Sequence, residues 1–184
     1  MLLSVKRSTL LIVDLQEKLA PAVHELRRVL ANVKILLSAA RALGVPVLAS
    51  EQYPKGLGPT LPEISALLTS AGAPQPVVEK THFSCLAEPG FAEFLAPAPR
   101  DQIVLAGIEA HVCVLQTALD FKAMGRDVFV VADACSSRAQ ANAELAYQRM
   151  RKNDIDVVST EMVVFEWLHQ AGNPAFKNLS ALIR

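Results

Sequence analysis

The segment Ile103-Val-Leu-Ala-Gly-Ile-Glu-Ala-His-Val-Cys113-Val-Leu-Gln-Thr-Ala-Leu-Asp120 changes its hydrophobic pattern part-way along. Its first residues are continuously apolar, which is typical of a buried strand in a parallel sheet, and Gly107 ends that run. From about His111 the apolar spacing becomes helical, so Cys113 falls in the first turn of a helix that follows a strand. A strand that leads directly into a helix predicts an α/β fold.

Strand and helix patterns alternate along the rest of the chain as well. Strand patterns cover Thr9–Asp14, Pro46–Ser50, Val77–Lys80, Gln102–Ala106, Asp127–Ala132 and Asp156–Ser159. Helix patterns cover Glu25–Leu43, Leu61–Ser70, Phe91–Leu95, Val112–Met124, Ala139–Asn153 and Glu161–Gln170. Such alternation predicts parallel strands joined by right-handed crossovers, with helices on both faces of the sheet. No linker or repeat interrupts the pattern, so we expect a single domain over residues 1–184.

The composition limits the kinds of partner. Lys and Arg total 18 and Asp and Glu total 18, so no charge excess points to nucleic acid or to a membrane surface. The apolar runs are shorter than the roughly 20 residues of a membrane-spanning helix, and the first residues do not have the pattern of a signal peptide. Three cysteines without C-x-x-C spacing indicate reduced thiols. We therefore expect a cytoplasmic protein that binds neither nucleic acid nor membranes.

Three chemically distinct side chains lie at the ends of predicted strands. Asp14, Lys80 and Cys113 each lie at, or just beyond, the C-terminal end of an apolar strand. In an open parallel sheet these ends line a common crevice where ligands bind. Each residue also has an ordinary structural interpretation: a helix cap for Asp14, an exposed cation for Lys80 and a small buried apolar side chain for Cys113.

The position of Cys113 is compatible with a reactive thiol, although Cys113 taken alone is more typical of a small buried apolar residue. Unpaired backbone N–H groups and the positive end of the helix dipole stabilise an anion in the first turn of a helix. A thiol at such a place can have a pKa below its ordinary value of about 8.5, and a lowered pKa is what we expect if Cys113 is the nucleophile, since the thiolate is the form that attacks carbon.

Four motifs, in this order along the chain, carry a resemblance to a known family. They are Glu-Gln-Tyr-Pro-x-Gly-Leu-Gly at 51–58, Glu-Lys-Thr-x-Phe-Ser at 79–84, Gly-Ile-Glu-Ala-x-x-Cys at 107–113 and Asp-Ala-Cys-Ser-Ser-Arg at 133–138. From about residue 8 to the C-terminus the chain resembles the isochorismatase-like cysteine hydrolases, and among them the isochorismatase-domain proteins of unassigned substrate. The resemblance implies a doubly wound, six-stranded parallel sheet of order 3-2-1-4-5-6.

The resemblance also implies a catalytic triad of Asp14, Lys80 and Cys113. Cys113 would attack a carbonyl carbon to form a thioester-like intermediate, Asp14 would move the proton, and Lys80 would hold the Asp14 charge and favour the thiolate. The backbone amides of Glu109 and Cys113 would bind the oxyanion, next to a cis peptide bond between Ile108 and Glu109. The implied substrate is a small amide, imide or related acyl-type molecule.

This sequence differs from better-known relatives at a metal-binding motif, and the difference argues against a metal-dependent reaction. Nicotinamidases of this superfamily carry a metal-binding Asp-x-His motif after the second strand, whereas this chain has Glu51-Gln52-Tyr53 there. A tyrosine does not supply the imidazole that such a site prefers, so we expect no metal and no nicotinamidase activity. Nucleotide-binding glycine motifs are absent, and we expect no cofactor. The residues expected to shape the substrate pocket are Gln16, Glu51, Tyr53 and Phe83; packing for Phe83 and solvent for Glu51 are the alternatives.

Other functions and features stay open at this point. A catalytically idle binding or assembly protein would keep the fold, and a thiol redox sensor is disfavoured because no resolving-cysteine spacing is present. The roles of Cys85, Cys135, His82 and His111 are unassigned, and Ser136 and Ser137 resemble N-cap residues. The apolar segment Met162-Val-Val-Phe-Glu-Trp-Leu168 has more large hydrophobic residues than one core face needs. This segment packs either into the core of its own chain or against a second subunit, and with the resemblance we expect a homo-oligomer, either a dimer or a tetramer.

Overall fold

The predicted strands pair in parallel within one sheet of order β3-β2-β1-β4-β5-β6. This is seen in a computed structural model of the chain, which describes residues 1–69, 75–95 and 100–183. The strands are β1 Ser8–Val13, β2 Val47–Gln52, β3 Val77–Lys80, β4 Gln102–Ile108, β5 Asp127–Ser136 and β6 Asp156–Val158. The predicted six-stranded parallel sheet and its strand order are therefore confirmed.

The order of the winding reverses between β1 and β4. Leu10 of β1 lies opposite Val47 of β2 on one side and Val104 of β4 on the other. All residues of β1 and β4 are buried, because helices cover both faces of the sheet. Ligands bind at the carboxyl ends of strands next to such a reversal, which is where Asp14 and Cys113 lie.

Helices cover both faces of the sheet. They are α1 Leu26–Leu43, α2 Pro54–Leu57, α3 Pro62–Thr69, α4 Leu115–Ala123, α5 Gln140–Arg151, α6 Thr160–Leu168 and α7 Phe176–Ser180. The buried faces of α1, α3, α6 and α7 share one core, and those of α4 and α5 share the core on the other side of the sheet. As predicted, Gly44 ends α1: its φ is 72°, and the amide of Val45 bonds back to the carbonyl of Ala40.

Several boundaries differ from the prediction. Cys113 lies in a five-residue π-helical turn, Ala110–Val114, that precedes α4 and follows β4. The predicted helix at Phe91–Leu95 is a 3-10 helix over Phe91–Phe94, and α7 was not predicted. The predicted end of the second helix at Ser70 lies outside the described residues. Strands β4 and β5 continue beyond their predicted ends, because their later residues still find partners in the sheet.

The predicted N-cap role of Ser136 and Ser137 is wrong. The Ser136 hydroxyl donates to the carbonyl of His24 at 2.5 Å, and the Ser137 hydroxyl lies 2.9 Å from Nδ1 of His111. The residue that caps α5 is Ala139, which has no side-chain oxygen to offer. Tertiary contacts of the loop therefore take the hydroxyl groups that a local pattern would assign to the helix. Across the described residues, no helix is both long and apolar enough to cross a membrane.

Candidate active site

Asp14 begins the site at the end of β1. Its backbone adopts a left-handed conformation with φ 53°, and its amide still pairs with the carbonyl of Ser50 on β2 at 3.1 Å. The carboxylate is fully buried, and its Oδ1 accepts a hydrogen bond of 2.7 Å from the Ser50 hydroxyl. No helix begins immediately after Asp14, so the alternative role as a helix cap does not apply.

Lys80 reaches Asp14 from the end of β3. Since β2 lies between β3 and β1, the outer backbones are about 10 Å apart, and only a long side chain spans that distance. The Lys80 Nζ lies 2.8 Å from Oδ2 of Asp14 and 2.6 Å from Oε1 of Gln52. It also donates to the carbonyls of Phe83 and His82, at 3.1 and 3.3 Å. Both side chains of the Lys80–Asp14 ion pair are completely shielded from solvent, so Lys80 is not an exposed cation.

The ion pair keeps the buried ammonium charged. Burial by itself would lower the pKa of Lys80, but the charge of Asp14 and the nearby thiols Cys113 and Cys85 act in the opposite direction. The net result is a pKa raised above the ordinary value for lysine. A buried charge of this kind is stable only when its partner and its remaining hydrogen bonds are supplied by the protein.

Cys113 brings its thiol to the same place from the end of β4. Cys113 is 4% exposed, and its Sγ lies 4.0 Å from Oε1 of Gln52. Burial raises the pKa of the thiol above its ordinary value, the Asp14 charge raises it further, and Lys80 opposes them. The expectation of a lowered pKa is therefore wrong, because burial and a neighbouring carboxylate outweigh the helix terminus and the ammonium.

Two polar residues of the site were not found from the sequence. Ser50 and Gln52 lie two apart on β2, and therefore on the same face of that strand. Ser50 bonds to Asp14, and Gln52 contacts both Lys80 and Cys113. The signal that identifies them is the strand order: β2 separates β1 from β3, so its last residues lie between Asp14 and Lys80.

A second buried thiol, that of Cys85, lies close enough to Asp14 and Lys80 for their charges to act on it. Cys85 follows β3 in the chain and is completely buried, with its amide bonded to the hydroxyl of Thr117 on α4 at 3.0 Å. Burial raises the pKa of this thiol, and the Asp14 charge adds to that effect while Lys80 opposes it. Cys135, on β5, is also buried, but its Sγ faces the carbonyl of Leu105 at 3.9 Å.

The turn between β4 and Cys113 has the predicted cis bond. The Ile108–Glu109 peptide is cis, which confirms that prediction. The Glu109 carbonyl accepts bonds from the amides of Val112 at 3.0 Å and Val114 at 3.3 Å, and these bonds shape the turn. The Glu109 carboxylate accepts from the amide and side chain of Arg138. The oxyanion role of the Glu109 and Cys113 amides stays a prediction.

Two of the four expected substrate contacts bind the protein's own backbone. Gln16 is fully buried; its Nε2 donates to the carbonyls of Gln52 at 2.9 Å and Gly58 at 2.7 Å, and its Oε1 accepts from the Gln52 amide at 2.7 Å. Glu51 accepts from the amide and the hydroxyl of Thr60, both at 2.6 Å. These contacts hold the segment 53–60 against the end of β2, and they give Gln16 and Glu51 a positioning role.

Tyr53 and Phe83 lie at the surface near the triad. The exposed fractions of these residues are 54% and 53%. Tyr53 also lines a cavity of about 330 Å³ beside the end of β3, whose other lining residues are Pro54, Lys55, Glu79, Lys80, Thr81 and Glu88. The side chain of Lys80 is shielded from solvent, so Lys80 meets this cavity through its backbone, and neither Asp14 nor Cys113 is among the lining residues.

The histidines of the region have partners outside the triad. His82 Nδ1 lies 2.9 Å from Glu88 Oε2, which also accepts from the amide of Thr81, and the pKa of Glu88 is lowered to about 2 by the His82 and Thr81 hydrogen bonds. His111 contacts Ser137. Within the ranges that the structure describes, no group of three or more His, Cys, Asp or Glu side chains is placed to hold a metal ion.

Known proteins share sequence similarity with this chain. The family model described as "Isochorismatase domain" matches residues 8–162. The chain is similar to isochorismatase domain-containing protein 2 of Danio rerio, with 38% identity over 98% of this chain and 89% of that protein. It is also similar to the secreted isochorismatase effector Isc1 of Phytophthora sojae, with 39% identity over 96% of this chain and 84% of that protein.

The fold is also similar to that of a solved structure. The structure of MAR1 ribonuclease from Caenorhabditis elegans matches with a TM-score of 0.91 and 34% identity. The match covers 100% of this chain and 92% of that chain.

Proposed function

Because the chain belongs to the isochorismatase-like cysteine hydrolase family, we propose that it hydrolyses a small amide, imide or related acyl-type substrate through a covalent thioester. The observation that carries this proposal is the convergence of a carboxylate, an ammonium and a thiol in one buried site. Asp14, Lys80 and Cys113 come from three separate strand ends, and a protein that only binds has no physical need to bury this set together.

The first step acylates the protein. Cys113 Sγ attacks the carbonyl carbon of the substrate, and its proton passes to Asp14. The raised pKa of the thiol makes this transfer part of the attack, because the resting sulfur carries its proton at neutral pH. The bond from the acyl carbon to its nitrogen then breaks, and the leaving group takes the proton from Asp14. Lys80 balances the negative charge that moves between sulfur and carboxylate.

The second step releases the acid. A water molecule attacks the thioester carbon and gives a proton to Asp14; the carbon–sulfur bond breaks, and the thiolate recovers that proton. The overall change is one water added across one acyl bond. In both steps we propose that the backbone amides of Glu109 and Cys113 form an oxyanion hole, which donates hydrogen bonds to the negatively charged oxygen of the substrate.

The substrate enters, in this proposal, at the surface where Tyr53 and Phe83 are exposed. Tyr53 also lines the cavity beside β3, and Tyr53 and Phe83 are the exposed aromatic residues next to the triad. Four acceptors, namely Asp14, Gln52 and two carbonyls, already share the three N–H groups of the Lys80 ammonium. Lys80 is therefore assigned to the triad and not to the recognition of an anionic substrate, and we propose an uncharged acyl group at the reacting carbon.

We also propose a reducing cytoplasmic setting and a homo-oligomer, a dimer or a tetramer. The three cysteines are free and buried, which suits a reducing compartment, although the Phytophthora sojae relative is described as secreted. Met162 and Phe165 are among the exposed large apolar residues of α6, while Val163, Val164, Trp167 and Leu168 pack into the core. The predicted surplus of hydrophobic residues is thus divided between the core and the surface.

The test is a panel of small amides, imides and esters, with mass spectrometry to detect an acyl group on Cys113. We expect Cys113→Ala to lower turnover by at least about a thousandfold on any substrate found, because the nucleophile is lost. Cys135→Ala is the matched control, since Cys135 is a buried thiol that faces Leu105, and it should keep turnover within about twofold.

Two outcomes would contradict the proposal. Retained turnover in Cys113→Ala would exclude the covalent route, and the failure of every acyl compound with unmodified Cys113 would favour a catalytically idle protein. RNA belongs in the panel because the Caenorhabditis elegans relative is described as a ribonuclease. Cleavage of RNA that Cys113→Ala leaves intact would replace the acyl substrate class, although equal numbers of acidic and basic residues do not favour it.

A further inference from the structure

Gln52 is the residue that touches both the ammonium and the thiol of the triad. It ends β2 opposite Lys80 in the parallel register, and it is buried. Its Oε1 accepts a hydrogen bond of 2.6 Å from Lys80 Nζ and lies 4.0 Å from Cys113 Sγ, which is the outer limit for a thiol donor. One neutral oxygen therefore contacts two of the three groups to which the proposed function assigns the chemistry.

The orientation of this amide is fixed by its other atoms. Its Nε2 donates to the carbonyl of Thr81 at 2.8 Å, and its backbone amide and carbonyl both bond to Gln16. A flipped amide would place its NH₂ group against the Lys80 ammonium and its oxygen against the Thr81 carbonyl, and both contacts would be repulsive. The oxygen of Gln52 therefore faces Lys80 and Cys113.

We propose that Gln52 is a positioning residue that holds the Lys80 ammonium beside Asp14 and keeps the resting Cys113 sulfur in its protonated form. This inference rests on the proposed function, because it assigns the chemistry to the same three groups. A carbonyl oxygen suits the task since it accepts a hydrogen bond from S–H or N–H and, unlike a carboxylate, is not basic enough to take the proton away. Asp14 then remains the base.

The Gln52 oxygen and three titratable groups determine whether the Cys113 sulfur is a thiol or a thiolate. Among the described residues, the titratable groups that act on the Cys113 sulfur are Asp14 from β1, Lys80 from β3 and Cys85 from the segment after β3. The negative end of the Gln52 amide dipole disfavours a thiolate at 4.0 Å, and it also holds Lys80 by one of its hydrogen bonds. Lys80 keeps its bonds to Asp14 and to two carbonyls when this oxygen is removed, so the removal should favour the thiolate, and a carboxylate in its place should oppose it.

The experiment measures the rate at which iodoacetamide alkylates Cys113 between pH 7 and pH 9, with the Cys113 peptide quantified by mass spectrometry. Two variants of similar size are compared with the wild-type chain: Gln52→Met and Gln52→Glu. At a pH below the thiol pKa, the rate follows the fraction of thiolate, so a change of one pKa unit appears as about a tenfold change in rate.

We expect opposite effects from the two variants. Gln52→Met should speed the alkylation of Cys113 by about tenfold, and Gln52→Glu should slow it by about tenfold. A purely structural role predicts something else, since looser packing would expose the thiol and accelerate alkylation in both variants. Turnover of an identified substrate should fall in both, because neither side chain places the Lys80 ammonium and the sulfur as the amide does.

Gln102→Met is the matched control. Gln102 is also a fully buried glutamine on a central strand, with side-chain bonds to the amide of Ser4 at 2.8 Å and the carbonyl of Leu2 at 3.0 Å. It lies at the opposite end of the parallel sheet, at the start of β4. The control should lose stability through the same kind of lost bonds, while its Cys113 alkylation rate should stay within about twofold of wild type.

The outcomes separate this inference from the proposed function. Equal rates in Gln52→Met, Gln52→Glu and wild type, or a change in the same direction in both, would overturn the role of Gln52. If Gln52→Met unfolds, Cys85 and Cys135 will react as fast as Cys113, and Gln52→Glu then decides alone: only slower alkylation supports the inference. The measurement needs no turnover, so absence of hydrolysis in the wild-type chain would count against the proposed function and leave this result intact.

Discussion

At the scale of single residues, the site depends on which charges face the buried sulfur. Lys80 and Asp14 neutralise each other at 2.8 Å, so the pair offers the thiol a carboxylate and an ammonium at once. Burial and the carboxylate dominate, and the thiol pKa is raised. In the proposed reaction Cys113 therefore attacks as a thiol that hands its proton to Asp14, and the groups at the ends of β1 and β3 act on the pKa of that thiol.

Asp14→Asn tests this control at neutral pH. Removing the carboxylate charge should lower the pKa of the Cys113 thiol, so Cys113 should be alkylated by iodoacetamide several-fold faster at pH 7, although turnover should be lost with the base. The variant should also lose about 3–5 kcal/mol of stability, because the Lys80 ammonium keeps no charged partner. Urea unfolding and peptide-resolved alkylation measure the two effects.

The alkylation rates of the three cysteines in Asp14→Asn distinguish an electrostatic effect from unfolding. Acceleration confined to the Cys113 peptide supports the electrostatic argument, whereas equal acceleration at Cys85 and Cys135 reports only unfolding. An unchanged or slower rate at Cys113 in a folded variant would contradict the role assigned to the Asp14 charge.

At the scale of elements, the close approach of β4 to β1 determines where Cys113 lies. Gly107 has φ 122°, and a Cβ at this position would collide with the backbone of Val13. The register shift between β4 and β5 falls at the same residue. The chain then passes through the cis bond and the π-helical turn to reach Cys113. Glycine is required here both by the backbone conformation and by the space available.

Gly107→Ala should therefore be strongly destabilising. We expect a loss of at least about 3 kcal/mol in the free energy of unfolding, because strand β4 would have to separate from β1. Gly172→Ala is the control, since a Cβ added at Gly172 would have no other atom within 4 Å and the φ of this residue is not in the left-handed region. Chemical denaturation of both variants measures the difference; a loss below about 1 kcal/mol in Gly107→Ala would contradict the close-approach argument.

At the scale of the whole molecule, the two cores on either side of the sheet have different roles. One core, with α1 and α6 above it, ties the termini to the sheet; the indole of Trp167, for example, donates to the hydroxyl of Ser8 at 3.0 Å. The other core contains Cys113, Cys85 and the buried side of α4. The exposed Met162 and Phe165 belong to the outer surface of α6, away from the triad.

The proposed assembly is tested at this outer surface. If α6 contributes to a subunit interface, the wild-type chain should have a mass above 19.9 kDa in sedimentation velocity, and Met162→Glu should shift it toward the monomer. Leu145→Glu, at an exposed position on α5, is the control and should leave the mass unchanged. A monomeric wild-type chain, or a Met162→Glu variant of unchanged mass, would contradict this part of the proposal.

The amino-acid sequence by itself was sufficient to predict the alternating strands and helices and the strand ends that carry Asp14, Lys80 and Cys113, because buried strands and helices leave their periodicity in the chain. The strand order and the cis bond before Cys113 were predicted only through the family resemblance, which rests on four short motifs. Only the folded arrangement revealed that Gln52 and Ser50 join the site, that Gln16 and Glu51 hold a loop, and that the Cys113 thiol has a raised pKa. These properties depend on distances between side chains from separate strands, and no local pattern in the sequence records those distances.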